Sequence, residues 1–159
     1  MCVQVRHLIR MSIENDSGRD CGLNRRRMIK YMYNIGLQQS HGPEPLCSIA
    51  LLSFHDSAEL FLHLSSEYLN SGGNDLSFMK YFDFINQKLP DGKEIAQKES
   101  MRRLNKARVS LKHNGTLPAK IELDAFRSTI SFFFWGKLQI DFWYVFSTHV
   151  YHGNLVAPI

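Results

Sequence analysis

Residues 45–69 constrain the fold more than any other stretch of the chain. Leu46, Ala50, Phe54, Phe61, Leu64 and Tyr68 recur at helical spacing along one side, and Leu51, Ala58, Leu62 and Leu69 widen it. A surface helix needs only an apolar stripe, whereas a helix apolar over most of its circumference must be packed on several neighbours. Residues 45–69 are therefore expected to be the central helix of a bundle. The remaining narrow face carries His55, Asp56, Glu59, His63 and Glu67, a polar stripe expected to face solvent or to pair with a basic neighbour. A chain of 159 residues is long enough for one domain with its own core. Its 44% hydrophobic and 21% charged residues fit an ordinary globular protein.

The flanking sequence supplies the neighbours. Asn24 can cap a helix running to about residue 39, with Met28, Tyr31, Met32 and Ile35 as its apolar stripe. Arg25, Arg26 and Arg27 would then sit in a first turn, where the helix dipole opposes them. Residues 40–45 contain two prolines and a glycine and read as a loop. Residues 70–75 form a Ser-Gly-Gly loop. Residues 76–89 form a short amphipathic helix on Phe78, Met79, Phe82, Ile85 and Leu89. A Pro-Asp-Gly turn at 90–93 precedes a helix over 94–113. Thr116, Leu117 and Pro118 form an extended link, and residues 122–134 close the bundle with Leu123, Phe126, Ile130 and Phe133 inward. The expected fold is all-α: an up-and-down bundle of four to five helices over residues 24–134. Residues 1–23, with turn chemistry at Asn15, Asp16, Ser17 and Gly18, read as a loosely ordered lead-in. Residues 135–159 form an aromatic-rich extension. There Ile140, Phe142, Tyr144 and Phe146 alternate as in a short β extension, but Trp143 and Val145 are apolar too, so a partner-facing segment fits as well.

Several function classes lack any signature. No stretch approaches about 18 uncharged apolar residues, so no membrane span is expected. The N-terminus has no signal-peptide pattern. Cys2, Cys21 and Cys47 show no paired spacing, which fits reduced thiols in a cytoplasm better than a disulfide framework or a zinc knuckle. No nucleophile elbow, phosphate loop or dinucleotide fingerprint is present. His55, Glu59 and His63 follow one another at four-residue steps and could share a helix face. A metal there would need a further ligand and supporting partners that the sequence does not nominate, so neither a metal nor any other cofactor is expected.

Charge is distributed in blocks. Residues 1–30 carry seven basic and three acidic side chains, net +4; residues 31–97 carry three basic and eight acidic, net −5. Residues 98–113 carry six basic and one acidic, net +5. The acidic middle and the basic helix could pair within one bundle, or the basic helix could present a phosphate-binding face.

That basic helix holds the one candidate for chemistry. Met101, Leu104, Ala107 and Leu111 share a stripe, Asn114 and Gly115 signal its end, and Arg108 falls inside the stripe. A core-facing Arg needs an anionic partner, because an unpaired buried charge is costly. Asp56 and Glu59 of the long helix are the candidates for a structural ion pair. His113 follows Arg108 by five residues, roughly 140° around the helix. An Arg, four residues and a His resembles the signature of the HEPN superfamily, over about residues 45–133. The resemblance implies a dimeric helical bundle, and many such bundles are metal-independent ribonucleases of toxin–antitoxin or defence systems; others only bind partners. It implies His113 as the base that takes the ribose 2′-hydroxyl proton and Arg108 as the clamp on phosphate oxygens. Asn105, Arg102, Lys106 and Lys112 are the expected substrate-binding residues. RNA or a nucleotide, a second copy of the chain, and a cognate antitoxin or nucleotidyltransferase are the implied partners. The residue after the Arg is Val109 rather than the polar residue usual in active members. That departure favours the alternative, a non-catalytic bundle binding RNA, nucleotide or protein.

Overall fold

The computed structural model describes residues 19–69, 76–89 and 94–135, and these form five α-helices and one 3-10 turn, with no strand among the described residues. The helices are α1 (Arg19–Ser40), α2 (Ala50–Tyr68), α3 (Phe78–Lys88), α4 (Lys98–Asn114) and α5 (Lys120–Trp135), with the 3-10 turn at Leu46–Ile49. The all-α bundle read from the sequence is the fold. Most of the N-terminal lead-in, the loop at 70–75, the turn at 90–93 and the β extension expected near the C-terminus lie outside the described residues.

The long apolar helix is central, as its circumference required. α2 contacts each of the other four helices. Ala50, Leu51, Phe54, Ala58 and Leu62 are wholly buried on it, so its apolar surface is distributed over several partners. Aromatic rings join those partners. Tyr33 of α1 meets Phe134 of α5 edge-on at 5.1 Å, and Phe134 meets Phe61 of α2 at 5.7 Å. Phe61 meets Phe133 at 5.5 Å, and Phe133 lies 6.1 Å from Phe82 of α3. Such contacts favour offset or edge-to-face geometry because the ring faces are negative and the edges positive.

α1 and α2 run antiparallel. Arg25 pairs with Glu67 at one end, and Ser53 donates to Gln39 at the other at 2.8 Å. α5 runs antiparallel to α1: the hydroxyls of Tyr33 and Ser131 meet at 3.0 Å, and Lys120 donates to the Ser40 carbonyl at 3.0 Å. α3 and α4 are tied by Lys98 to Asp83 at 2.6 Å, and the segment leading into α4 is tied to α3 by the Ile95 amide donating to Asn86 Oδ1 at 2.8 Å.

Four local expectations are corrected. Helix α1 begins at Arg19, within the expected lead-in, so Asn24 lies inside the helix and is no cap. The earlier start places Arg25–Arg27 beyond the first turn, away from the unfavourable end of the dipole. The inward face of α1 is also rotated: Ile29, Gly36 and Ser40 are buried, whereas Tyr31 is 62% exposed and Met28 is exposed. Gly36 on that inward face lies against Phe54 of α2. Leu46 is exposed because it belongs to the 3-10 turn and not to the α-helical stripe. Finally, α4 starts at Lys98 rather than near residue 94. Gln97 takes a left-handed conformation, φ 68°, which a right-handed helix cannot pass through, and Ile95 before it is buried in the core. At the other end Gly115, φ 66°, gives the expected glycine stop, its amide donating to the Leu111 carbonyl at 3.1 Å.

Gly36 of α1 packs directly against Phe54 of α2. A Cβ built there would lie 2.5 and 2.6 Å from two carbons of the Phe54 ring, which is wholly buried. A ring held on all sides cannot swing away at low cost. Gly36→Ala is therefore expected to destabilise the bundle by about 1–2 kcal/mol, since overpacking outweighs alanine's better helix propensity. Urea denaturation measures this; an unchanged or raised midpoint would refute the packing described.

Candidate functional site

Helix α4 presents three different environments around its circumference. Met101 and Leu104 enter the core. Asn105 and Arg108 are half-buried. Arg102, Arg103, Lys106, Val109, Lys112 and His113 are exposed. The apolar residues are few, so a narrow stripe anchors the helix and most of its cationic surface stays in water.

Of the expected site residues, Arg108 has the least usual setting. Its Nε is buried and has no hydrogen-bond partner among the described residues. The ion pair to Asp56 or Glu59 is not made: Asp56 and Glu59 lie beside the ring of His55 instead. One neighbouring side chain explains this. His55 stands between these carboxylates and α4, and it is His55 that reaches the motif helix. His113 lies in the last turn of α4, exposed, where its position at the C-terminal end suits a cationic side chain. No hydrogen bond or ion pair joins Arg108 to His113 among the described residues. Val109 is exposed and offers nothing polar between them.

The proposed substrate-binding residues separate into different surroundings. Arg102 pairs with Glu99 one turn back at 3.1 Å. Lys112 is exposed beside His113. Lys106 turns to the other side, where a cleft of about 500 Å³ opens between α4 and α5, lined also by Arg103, Ser110, Thr116, Phe126 and Thr129. Glu122, on the same cleft, is engaged with the Ala119 amide at 3.0 Å. Asn105 does not point to open solvent. Its Oδ1 accepts from His55 Nε2 at 2.9 Å.

His55 is the residue that sequence reading misplaced. It was assigned to the polar stripe of α2, yet it is 1% exposed. Its ring stacks on Phe78 of α3 with centroids 4.4 Å apart and planes 28° from parallel. The signal was present in the spacing: His55 follows Leu51 by four residues and precedes Ala58 by three and Leu62 by seven, inside the apolar stripe. A buried imidazole must satisfy both nitrogens, and Asn105 is the partner on α4 that does so for Nε2. Cys47, the one cysteine among residues with described side chains, is a free buried thiol.

Compared with known proteins, the chain matches no family model, no curated protein and no solved structure. Among the described residues, no helix is long and apolar enough to cross a membrane.

The His55–Asn105 bond joins α2 to α4. Asn105→Ala leaves the imidazole Nε2 without its partner, and an unsatisfied buried polar group costs about 1–3 kcal/mol. Chemical denaturation should show a loss in that range, with Asn105→Gln intermediate; no loss in Asn105→Ala would mean the bond contributes nothing to holding α4.

Proposed function

We propose that this chain is a HEPN-type, metal-independent endoribonuclease of a toxin–antitoxin or defence system, acting in the cytoplasm. The observation that carries the reading is the state of Arg108. It is a half-buried guanidinium on a cationic helix, and no carboxylate of the described chain neutralises it. A fixed cation lacking an internal partner is available to an anionic one, and a planar guanidinium matches two phosphate oxygens. His113 stands further along the same helix, exposed to a substrate.

In this mechanism the His113 imidazole removes the proton from a ribose 2′-hydroxyl. The oxygen attacks the adjacent phosphorus while Arg108 holds the oxygens on which charge accumulates. The bond to the 5′-oxygen of the next nucleotide breaks. The products are a 2′,3′-cyclic phosphate and a 5′-hydroxyl end. Lys112 and Lys106 add positive field for the RNA backbone. Asn105 acts indirectly, since its carbonyl oxygen is taken by His55 and it serves to set the position of α4.

Val109 supports a second reading. It is an exposed apolar residue where active members carry a polar one, and it leaves Arg108 and His113 unlinked. Under that reading the same cationic helix binds RNA, a nucleotide or a protein partner without turnover. A cognate antitoxin or nucleotidyltransferase is the partner of either form.

Cleavage of labelled single-stranded RNA by the purified full-length chain distinguishes them. His113→Ala and Arg108→Ala should each abolish cleavage. Both should fold, because His113 is exposed and the loss of Arg108 strands no carboxylate. EDTA should leave turnover unchanged. Cleavage surviving in His113→Ala, or lost with EDTA, would overturn the mechanism. No cleavage by the wild type on varied RNAs would favour the binding module.

A homodimer with the two motifs near a shared interface belongs to the same proposal. Sedimentation should give a dimer at tens of micromolar, on the order of ordinary homodimer affinities; a monomer there would count against it.

A further inference from the structure

The surroundings of His55 point to a ligand that the Arg108–His113 reading does not use. Nε2–H donates to Asn105 Oδ1 at 2.9 Å, which leaves Nδ1 of the neutral ring with a lone pair. That lone pair faces two carboxylates: Asp56 Oδ1 at 3.4 Å and Glu59 Oε2 at 3.8 Å. Nδ1 is within hydrogen-bond distance of Asp56 Oδ1, and with Nδ1 unprotonated the three acceptors that converge there repel each other unless a positive group, a proton on Nδ1 or a cation in its place, lies between them. No Lys or Arg supplies it, since neither Asp56 nor Glu59 pairs with a basic side chain other than His55 among the described residues. Such isolation is notable in a chain of net charge +4, one contact away from its most basic helix.

The spacing suits a metal ion. Zinc binds imidazole nitrogen and carboxylate oxygen at about 2.1 Å, and tetrahedral ligands at that radius are about 3.4 Å apart. The donor atoms of His55, Asp56 and Glu59 all lie within 4.8 Å of one another, and the two distances from Nδ1 are already close to that separation. Both carboxylates are partly exposed, so an ion can enter from solvent. Behind the ring, Asn105 and the stacked Phe78 fix the imidazole. A hydrogen bond from the distal nitrogen is the usual support of a metal-bound histidine.

His63 and Glu67, two turns along the same helix, are the contrast. His63 Nδ1 lies 3.3 Å from Glu67, but that carboxylate is already paired with Arg25. The same four-residue spacing there is neutralised internally and gathers only two donors.

We propose that His55 Nδ1 and one carboxylate oxygen each from Asp56 and Glu59 form a binding site for a divalent cation that accepts nitrogen and oxygen donors, of which Zn2+ is the representative, with solvent completing the shell. Two carboxylates and a neutral imidazole balance the ion's charge. The site takes no part in the RNA chemistry; it clamps one face of α2 and, through Asn105, fixes α4. Chelation therefore lowers thermal stability while leaving any ribonuclease turnover as it is, at temperatures well below unfolding.

The test is calorimetric titration of Zn2+ into the metal-free full-length chain. One equivalent should bind, and Zn2+ should raise the melting temperature by mass action. Asp56→Asn and Glu59→Gln, both at partly exposed positions and close in shape to the native residues, should each weaken binding by about tenfold or more and remove the thermal shift. His63→Ala should bind as the wild type does. Nitrogen-15 spectra of the wild-type imidazoles give an independent reading: Zn2+ should shift Nδ1 of His55 while Nε2 keeps its proton. No binding, binding unchanged in Asp56→Asn and Glu59→Gln, binding lost in His63→Ala, or a shift at Nε2 of His55 would each overturn the proposal.

Discussion

A helix that is apolar around most of its circumference cannot be left at a surface, and the architecture follows from enclosing α2. Each of the other helices contacts it. At Gly36 the absence of a side chain lets α1 lie against the face of Phe54. On other sides, Phe61, Phe133 and Phe134 meet edge-on, and Phe82 meets Phe133 at a tilt. Polar ties at the periphery then fix direction: Arg25 with Glu67, Gln39 with Ser53, and Lys120 with the end of α1. These are individually weak at exposed positions, but an antiparallel register requires only that they agree.

Within that enclosure the contact from α2 to α4 includes a polar one. His55 occupies a position in the apolar stripe of α2 that an aliphatic residue could fill, and its Nε2 is satisfied from α4 by Asn105. Apolar surfaces slide and rotate against each other at little cost, whereas a buried hydrogen bond holds only in one register. The His55–Asn105 bond thus determines which residues of α4 face inward and which remain in water. Arg108, one turn beyond Asn105, comes to rest half-buried without a carboxylate, and the cations at Arg103 and Lys106 turn to the cleft beside α5. The expected pairing of an acidic middle segment with a basic helix is realised at Lys98 and Asp83 and absent at Arg108.

The legible part of the candidate site was its chemistry, and the illegible part was its geometry. Arg108, His113 and the cationic run are visible as residue types on one helix. Whether they meet depends on rotamers and on neighbouring helices, and the structure leaves them unlinked with exposed Val109 between them. The reading of Asp56 and Glu59 as partners of Arg108 failed for a similar reason. Helical spacing ranks faces by hydrophobicity and assigns a histidine to the polar one, but an imidazole can be buried wherever both nitrogens find partners.

Sequence alone determined the class of fold. Periodic apolar spacing over residues 45–69, 76–89 and 122–134, with Gly115 as a stop, is enough to require packed helices, because burying those faces is the main favourable term available to the chain. The same spacing could not set where α1 begins, since a first turn is fixed by caps and charges that compete nearly evenly, nor the break at Gln97, where the burial of Ile95 accompanies a left-handed residue. Only tertiary structure decided the environment of His55. Its ring lies between three helices, its two nitrogens face opposite partners, and nothing local to residues 51–59 specifies that Asn105, fifty positions away, completes the arrangement.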